Sequence, residues 1–291
     1  MAKIISIVNQ KGGVGKTTTV INVGASLAEM GFRVLLVDLD PQGNLSSGLG
    51  VDTEALEKTV YNSLIGQAPL KRNIEKTEFD NLFVSPSNND LAGAEIELVD
   101  VEGREYMLRE SITEDLRDAF DYVLIDCPPS LGLLTINALT CSDSFLVPMQ
   151  SEFFALQGLT NILRTTKLVK QGLNPELEEE GIIITMFDSR SNFAKQVYQD
   201  IRVFAGKRLF STVIPRRIRL AESTSHGIPG INYDASCFGA RSYMKLAKEL
   251  VLRNQGSFEN AKESSIIPPD PIDRFGIKKT KEQNTKAEVR S

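Results

Sequence analysis

The 291 residues are 41% hydrophobic and 24% charged, proportions that exclude a mainly disordered polymer, a collagen-like repeat and a disulfide-stapled miniprotein. Thirty-three basic residues against 38 acidic ones leave a net charge of −5, which taken whole argues against a generic nucleic-acid binder. No run reaches the roughly 18 consecutive apolar residues that span a bilayer, and the apolar start after Met1-Ala2-Lys3 is too short for a signal peptide. A cytoplasmic protein with no membrane partner is therefore expected.

Residues 4–8 are a short Ile/Val run bounded by Asn9 and a glycine cluster, and read as a buried parallel strand. Residues 17–30 carry Val20, Val23, Leu27 and Met30 at helical spacing, with Gly31 as the stop. Residues 33–38 form a second buried strand. Further strand-like runs follow at 82–84, 122–125, 144–148, 181–185 and 212–214, with helical stretches at 156–171, 192–204 and 243–252. This alternation predicts an α/β fold: one P-loop domain with a mostly parallel sheet covered by helices on both faces. Beyond Arg253 the texture turns polar and proline-bearing, with seven basic and six acidic residues, too polar to bury a core. One domain over 1–253 and a flexible tail over 254–291 are expected. The cysteines, 127, 141 and 237, have no metal-ligand spacing and read as buried thiols.

The strongest signal is Lys11-Gly12-Gly13-Val14-Gly15-Lys16-Thr17-Thr18, between the first strand and the first helix. Glycines let backbone N–H groups curl around phosphates, and the helix N-terminus adds its positive dipole end. The pattern assigns Lys16 to the β- and γ-phosphates, the Thr17 hydroxyl to Mg²⁺ and Thr18 to the α-phosphate, so ATP and Mg²⁺ are the expected cofactors. The loop departs from the standard pattern: Gln10 stands where the first glycine is expected, and Lys11 opens the loop. In this it resembles the deviant Walker A motif of the ParA/MinD family. That resemblance implies that Lys11 reaches across a sandwich dimer to the other chain's phosphates, making the protein an ATP-dependent homodimer.

The second strand ends in Asp38-Leu39-Asp40-Pro41-Gln42-Gly43-Asn44. Alternation places Asp38 and Asp40 on one side, at a strand end where open α/β sheets bind ligands. Asp38 is expected to support the loop lysines or the metal shell, and Asp40 to orient the attacking water. The family carries this segment, and its second aspartate is needed for hydrolysis. Tyr122-Val123-Leu124-Ile125-Asp126 fits a Walker B strand whose Asp126 holds Mg²⁺, and Cys127-Pro128-Pro129-Ser130-Leu131-Gly132 is similar to the family's switch region. With no second cysteine in matching context, an iron–sulfur cluster at Cys127 is not expected.

Between Asp200 and Glu222 there is no acid, while Arg202, Lys207, Arg208, Arg216, Arg217 and Arg219 fall inside and Arg190 and Lys195 lie just upstream. Spacing alone leaves a solvated face and a binding surface equally open. Segments 185–190 and 214–222 resemble those of chromosomal ParA (Soj) proteins, whose arginines at the positions of Arg190 and Arg219 bind DNA without sequence preference. The resemblance implies nonspecific double-stranded DNA as a partner, held by phosphate neutralisation at Arg190, Arg219, Arg216, Arg217 and Arg202. It places Pro215 and Arg217 beside the adenine, with Arg217 standing where relatives often have Asn and open to either role. It further implies a ParB-type protein that stimulates hydrolysis, and a nucleoid-associated ATPase of chromosome or plasmid partition. A MinD-like membrane ATPase, a cluster-positioning relative and a nucleotide-switched DNA-binding regulator are the alternatives. His226, in a Ser-His-Gly turn, reads as a loop residue.

Overall fold

Eight strands hydrogen-bond into one sheet in the computed structural model, which describes residues 1–254. They are β1 (Lys3–Ile7), β2 (Val34–Asp38), β3 (Glu75–Lys76), β4 (Leu82–Ser85), β5 (Tyr122–Asp126), β6 (Ser144–Gln150), β7 (Glu178–Phe187) and β8 (Leu209–Pro215). Their spatial order is β3-β4-β2-β5-β1-β6-β7-β8, and every pairing is parallel except β3 with β4. Six helices of eight residues or more accompany them among the described residues: α1 (Lys16–Glu29), α2 (Leu133–Cys141), α3 (Ala155–Gly172), α4 (Asn192–Ala205), α5 (Ile218–Ser225) and α6 (Phe238–Asn254). Met1–Val251 makes one compact unit. The predicted polar tail, from 255 onward, lies outside the described residues.

The central strands are apolar on both faces because helices cover both. Ile4, Leu35, Val37, Val123, Ile125 and Ile182 share one core with Leu134 and Ala138 of α2, Leu159 and Ile162 of α3, and Ile201 of α4. Alternate residues such as Leu36 point the other way, under α1. There Gly24 comes so close that a Cβ would lie 2.6 Å from Leu36 Cδ2, so glycine lets α1 seat at that depth without displacing the Leu36 side chain. The hydroxyls of Thr19 and Tyr243, 3.2 Å apart, tie α1 to α6.

The connections explain where a ligand binds. The chain leaves β1 through α1 to reach β2 on the far side of β5, and leaves β5 through α2 to reach β6 on the far side of β1. Strand order therefore reverses around the β1–β5 pair, and the carboxyl ends of these strands open a crevice. Register sharpens the point, since Asp126 pairs with Ile7 on one side and with Asp38 on the other.

Three features exceed the expectations from sequence. β7 starts at Glu178 rather than at 181, because its acids find partners: Ser144 Oγ donates to Glu180 at 2.7 Å, Lys3 lies 3.9 Å from Glu180, and Arg208 lies 3.3 Å from Glu179. The two-residue β3 caps the sheet edge and is too short for any periodicity to announce it. Helix α6 begins at Phe238, five residues before the apolar pattern suggests. Of the three cysteines expected to be buried, Cys127 and Cys141 are, whereas Cys237 is half-buried beside the start of α6. No helix of the described residues is long and apolar enough to cross a membrane.

Candidate active site

Between β1 and α1 the chain makes a loop that enters the helix through Gly15, whose φ of 88° is a left-handed conformation that a Cβ resists. No side chain caps this helix end, so its first N–H groups face outward for an anion. Neighbouring strands brace the loop. Gln150 donates its amide to Gly13 O at 2.7 Å, and the Thr185 hydroxyl donates to Val14 O at 2.6 Å. Lys16 is 7% exposed and, with Gly12, Gly13, Gly15, Thr17 and Thr18, lines a cleft of about 600 Å³. Val14 is buried beneath the loop, so it supports the cradle and does not line it.

Asp40 forms part of the same cleft's wall and is 8% exposed; its Oδ1 accepts from the Gln42 N–H at 3.0 Å. Of the supports expected of Asp38, the one to the loop lysines is not made. Its Oδ2 accepts from both the N–H and the hydroxyl of Ser46, at 3.0 and 2.7 Å, and its Oδ1 accepts from the Asp40 N–H at 3.2 Å. It supports neither loop lysine; it ties the 40–46 turn together and so fixes Asp40. Burial pushes its carboxyl up to about 6 despite those hydrogen bonds.

Asp126 is fully buried, and neither carboxylate oxygen has a hydrogen-bond partner. Burial raises its pKa well above the ordinary range. The Asp38 and Asp40 charges act in the same direction, against the Thr17 hydroxyl and the Lys16 ammonium. An orphaned buried carboxylate at the foot of an anion-binding loop is the arrangement a divalent cation resolves. Among the described residues no group of three or more His, Cys, Asp or Glu side chains could cage a metal. The donor set, one hydroxyl and one carboxylate, suits Mg²⁺, which keeps waters and shares phosphate oxygens.

Lys11 is not on the wall of this cleft. Its ammonium pairs with Glu152, which follows β6, beside a small hollow lined also by Phe154. No local signal announces Glu152, because the pair spans 141 positions. A second hollow of about 340 Å³ adjoins the phosphate cleft and is lined by Pro215 and Arg217.

The arginines divide. Phe187 of β7 registers with Pro215 of β8, and Arg216 N–H donates to Phe187 O at 3.3 Å. These strand ends carry Arg190, Arg216, Arg217 and Arg219 at the cleft end of the sheet. Arg190 is exposed and forks onto both oxygens of Asp188, at 3.0 Å each, and Arg219 reaches Glu222 at 3.1 Å. Arg202 does not join them. It sits in the last turn of α4, displaced along the helix by about 15 Å from its start and toward the opposite end of the sheet. Closeness in sequence suggested one patch; an intervening helix carries Arg202 away. His226 stacks on Tyr233, ring centroids 5.5 Å apart, as an ordinary loop residue.

Known proteins resemble the chain over most of its length. The family described as an AAA domain matches residues 2–179. The chain is 51% identical over 250 residues to the sporulation initiation inhibitor protein Soj of Bacillus subtilis, covering 86% of this chain and 98% of that one. It is 50% identical over 254 residues to the chromosome partitioning protein ParA of Myxococcus xanthus, covering 87% and 89%. Among solved structures, a cobyrinic acid a,c-diamide synthase from Mycobacterium smegmatis with bound ATP analogue and magnesium matches with a TM-score of 0.75 at 38% identity, covering 88% and 97%.

Proposed function

The chain belongs to the ParA/Soj family of partition ATPases, and on that premise we propose that it hydrolyses ATP with Mg²⁺ to drive a DNA-binding dimer in chromosome or plasmid partition. The observation that carries the reading is Asp126, buried and unpartnered beneath the uncapped start of α1, with Lys16 and Thr17 beside it.

The residues' placement supports these roles. Backbone N–H groups of residues 12–16 receive the phosphates, and Lys16 neutralises the β- and γ-phosphates. Thr17 and Asp126 would hold Mg²⁺, which when bound would neutralise negative charge on the phosphates. Asp40, fixed by Asp38 and Gln42, orients water on the facing wall. Fixing a carboxylate before the substrate arrives lowers the cost of aligning the water in the transition state.

Lys11 completes the site of a second copy. Its ammonium lies outside its own cleft, on Glu152, which supports a target on another chain. Arg190, Arg216 and Arg219 hold DNA phosphates without reading sequence, in a nucleoid-associated cytoplasmic protein. Two of the three are paired to carboxylates of their own chain, so one protomer binds weakly and a dimer that doubles the patch binds usefully. A ParB-type protein completes the slow site and releases the dimer. The test is phosphate release from ATP by the full chain, with and without Mg²⁺, DNA and a ParB-type protein. Turnover that requires Mg²⁺ and Lys16 supports the reading; turnover that survives Lys16→Ala overturns it.

A further inference from the structure

The hollow beside the phosphate cleft shares Gly15, Thr18, Met186 and Ala221 with it. A nucleotide whose phosphates occupy the loop therefore places its base in the hollow. Ile214, Pro215 and Leu220 supply apolar walls for the base's faces. Identity is read at the base's edge, by hydrogen bonds, and the side chains there are unusual for an adenine site. None is a carboxylate or a carboxamide. The Thr185 hydroxyl is engaged with Val14 O, and the Tyr243 hydroxyl with Thr19. Arg216 leans electrostatically on Asp188.

Arg217 remains. Its guanidinium carbon lies 5.6 Å from the centroid of the Phe238 ring, within cation–π range. Unlike Arg190, Arg208 and Arg219, it has no carboxylate partner among the described residues. That contact keeps the guanidinium close to the Phe238 ring at the start of α6, and its planar fork carries five donors and no acceptor. The outer edge of guanine presents two acceptors, N7 and O6, which such a fork satisfies together. Adenine presents acceptor N7 beside donor N6, a pair that a carboxamide complements and a guanidinium does not.

We infer that Arg217 is a base-reading residue that admits guanine as well as adenine, so that GTP competes with ATP for this site. The inference rests on reading the cleft as the nucleotide site, and it assigns Arg217 to the base and not to DNA.

Calorimetric binding of ATPγS and GTPγS to the full chain with Mg²⁺ tests it. The wild type is expected to bind the two with Kd values within about tenfold of each other, and Arg217→Asn to move the ratio toward ATPγS by about tenfold, the size of one bidentate base contact. Arg217→Lys keeps the charge and loses the fork, and should weaken GTPγS without weakening ATPγS. A ratio that moves less than about threefold in Arg217→Asn, or a wild type that ignores GTPγS, overturns the proposal. Lys16→Ala separates the two layers. Loss of both nucleotides leaves the site assignment standing whatever Arg217 does, whereas retention of both shows that the phosphate-loop reading itself has failed.

Discussion

The foot of the phosphate cleft and the corner where β7 and β8 end hold charge in opposite ways. At the foot, Asp38, Asp126 and Lys16 are buried on the central strands and at the start of α1. There each group is costly to desolvate and is held in one position. At the corner, Arg190, Arg216 and Arg219 are exposed, and carboxylates two or three residues away pair with the first and last. There each charge is cheap, screened by salt and replaceable. A catalytic group gains from the first arrangement, because alignment is settled before substrate arrives. A surface that grips any DNA and lets go gains from the second.

The largest effect that would break this contrast belongs to the buried side. Asp40→Ala is expected to lower ATP turnover by about 10² or more, as loss of a water-orienting or general-base group does, with ATP affinity changed little. Unchanged turnover in a phosphate-release assay would remove Asp40 from the chemistry. Lys11→Ala should abolish the ATP-dependent dimer seen by light scattering while the monomer still binds nucleotide. A persistent dimer would show that Lys11 serves only Glu152.

On the exposed side, Arg219→Glu should weaken DNA retention by about tenfold and flatten the slope of log affinity against log salt by about one unit or more. A slope that stays put would take Arg219 off the DNA. The next test crosses function with stability. Asp126→Ala should raise the melting temperature of the nucleotide-free protein by roughly 3 °C or more, because it deletes a buried carboxylate with two unpartnered oxygens, while abolishing Mg²⁺-dependent turnover. A lower melting temperature would mean that Asp126 has a stabilising role in the empty site.

The smallest expected change is also specific to this chain. Asp188→Ala releases Arg190 and should strengthen DNA binding by about two- to fivefold at low salt, the scale of one exposed ion pair. Arg190 holds the Asp188 carboxyl down at about 2. The sign follows: at any pH above about 4 Asp188 stays ionised, so the pair does not open on mild acidification and yields only to competing phosphate. DNA affinity that drops in Asp188→Ala would make the pair a brace for the loop and not a restraint on Arg190.

Much of this was legible in the sequence. The phosphate loop is local: Gly12 to Thr18 lie within seven positions, and a strand on one side with a helix on the other leaves the chain one way to turn. The strands announced themselves where burial on both faces demanded unbroken Ile, Leu and Val. They did not where acids extend them, as at Glu178, because a glutamate's willingness to enter a strand depends on a lysine or arginine far along the chain.

The sequence by itself determined the α/β class, the nucleotide loop and the aspartates at the strand ends, since each is a matter of spacing within one or two elements. Only the tertiary structure decided the rest. It turned Asp38 from the lysines to Ser46, gave Lys11 to Glu152, laid Arg217 on Phe238 and carried Arg202 away from the other arginines. Each of these is a choice of partner, set by which side chains the sheet and its crossovers bring within a few ångströms, and no local pattern encodes that distance.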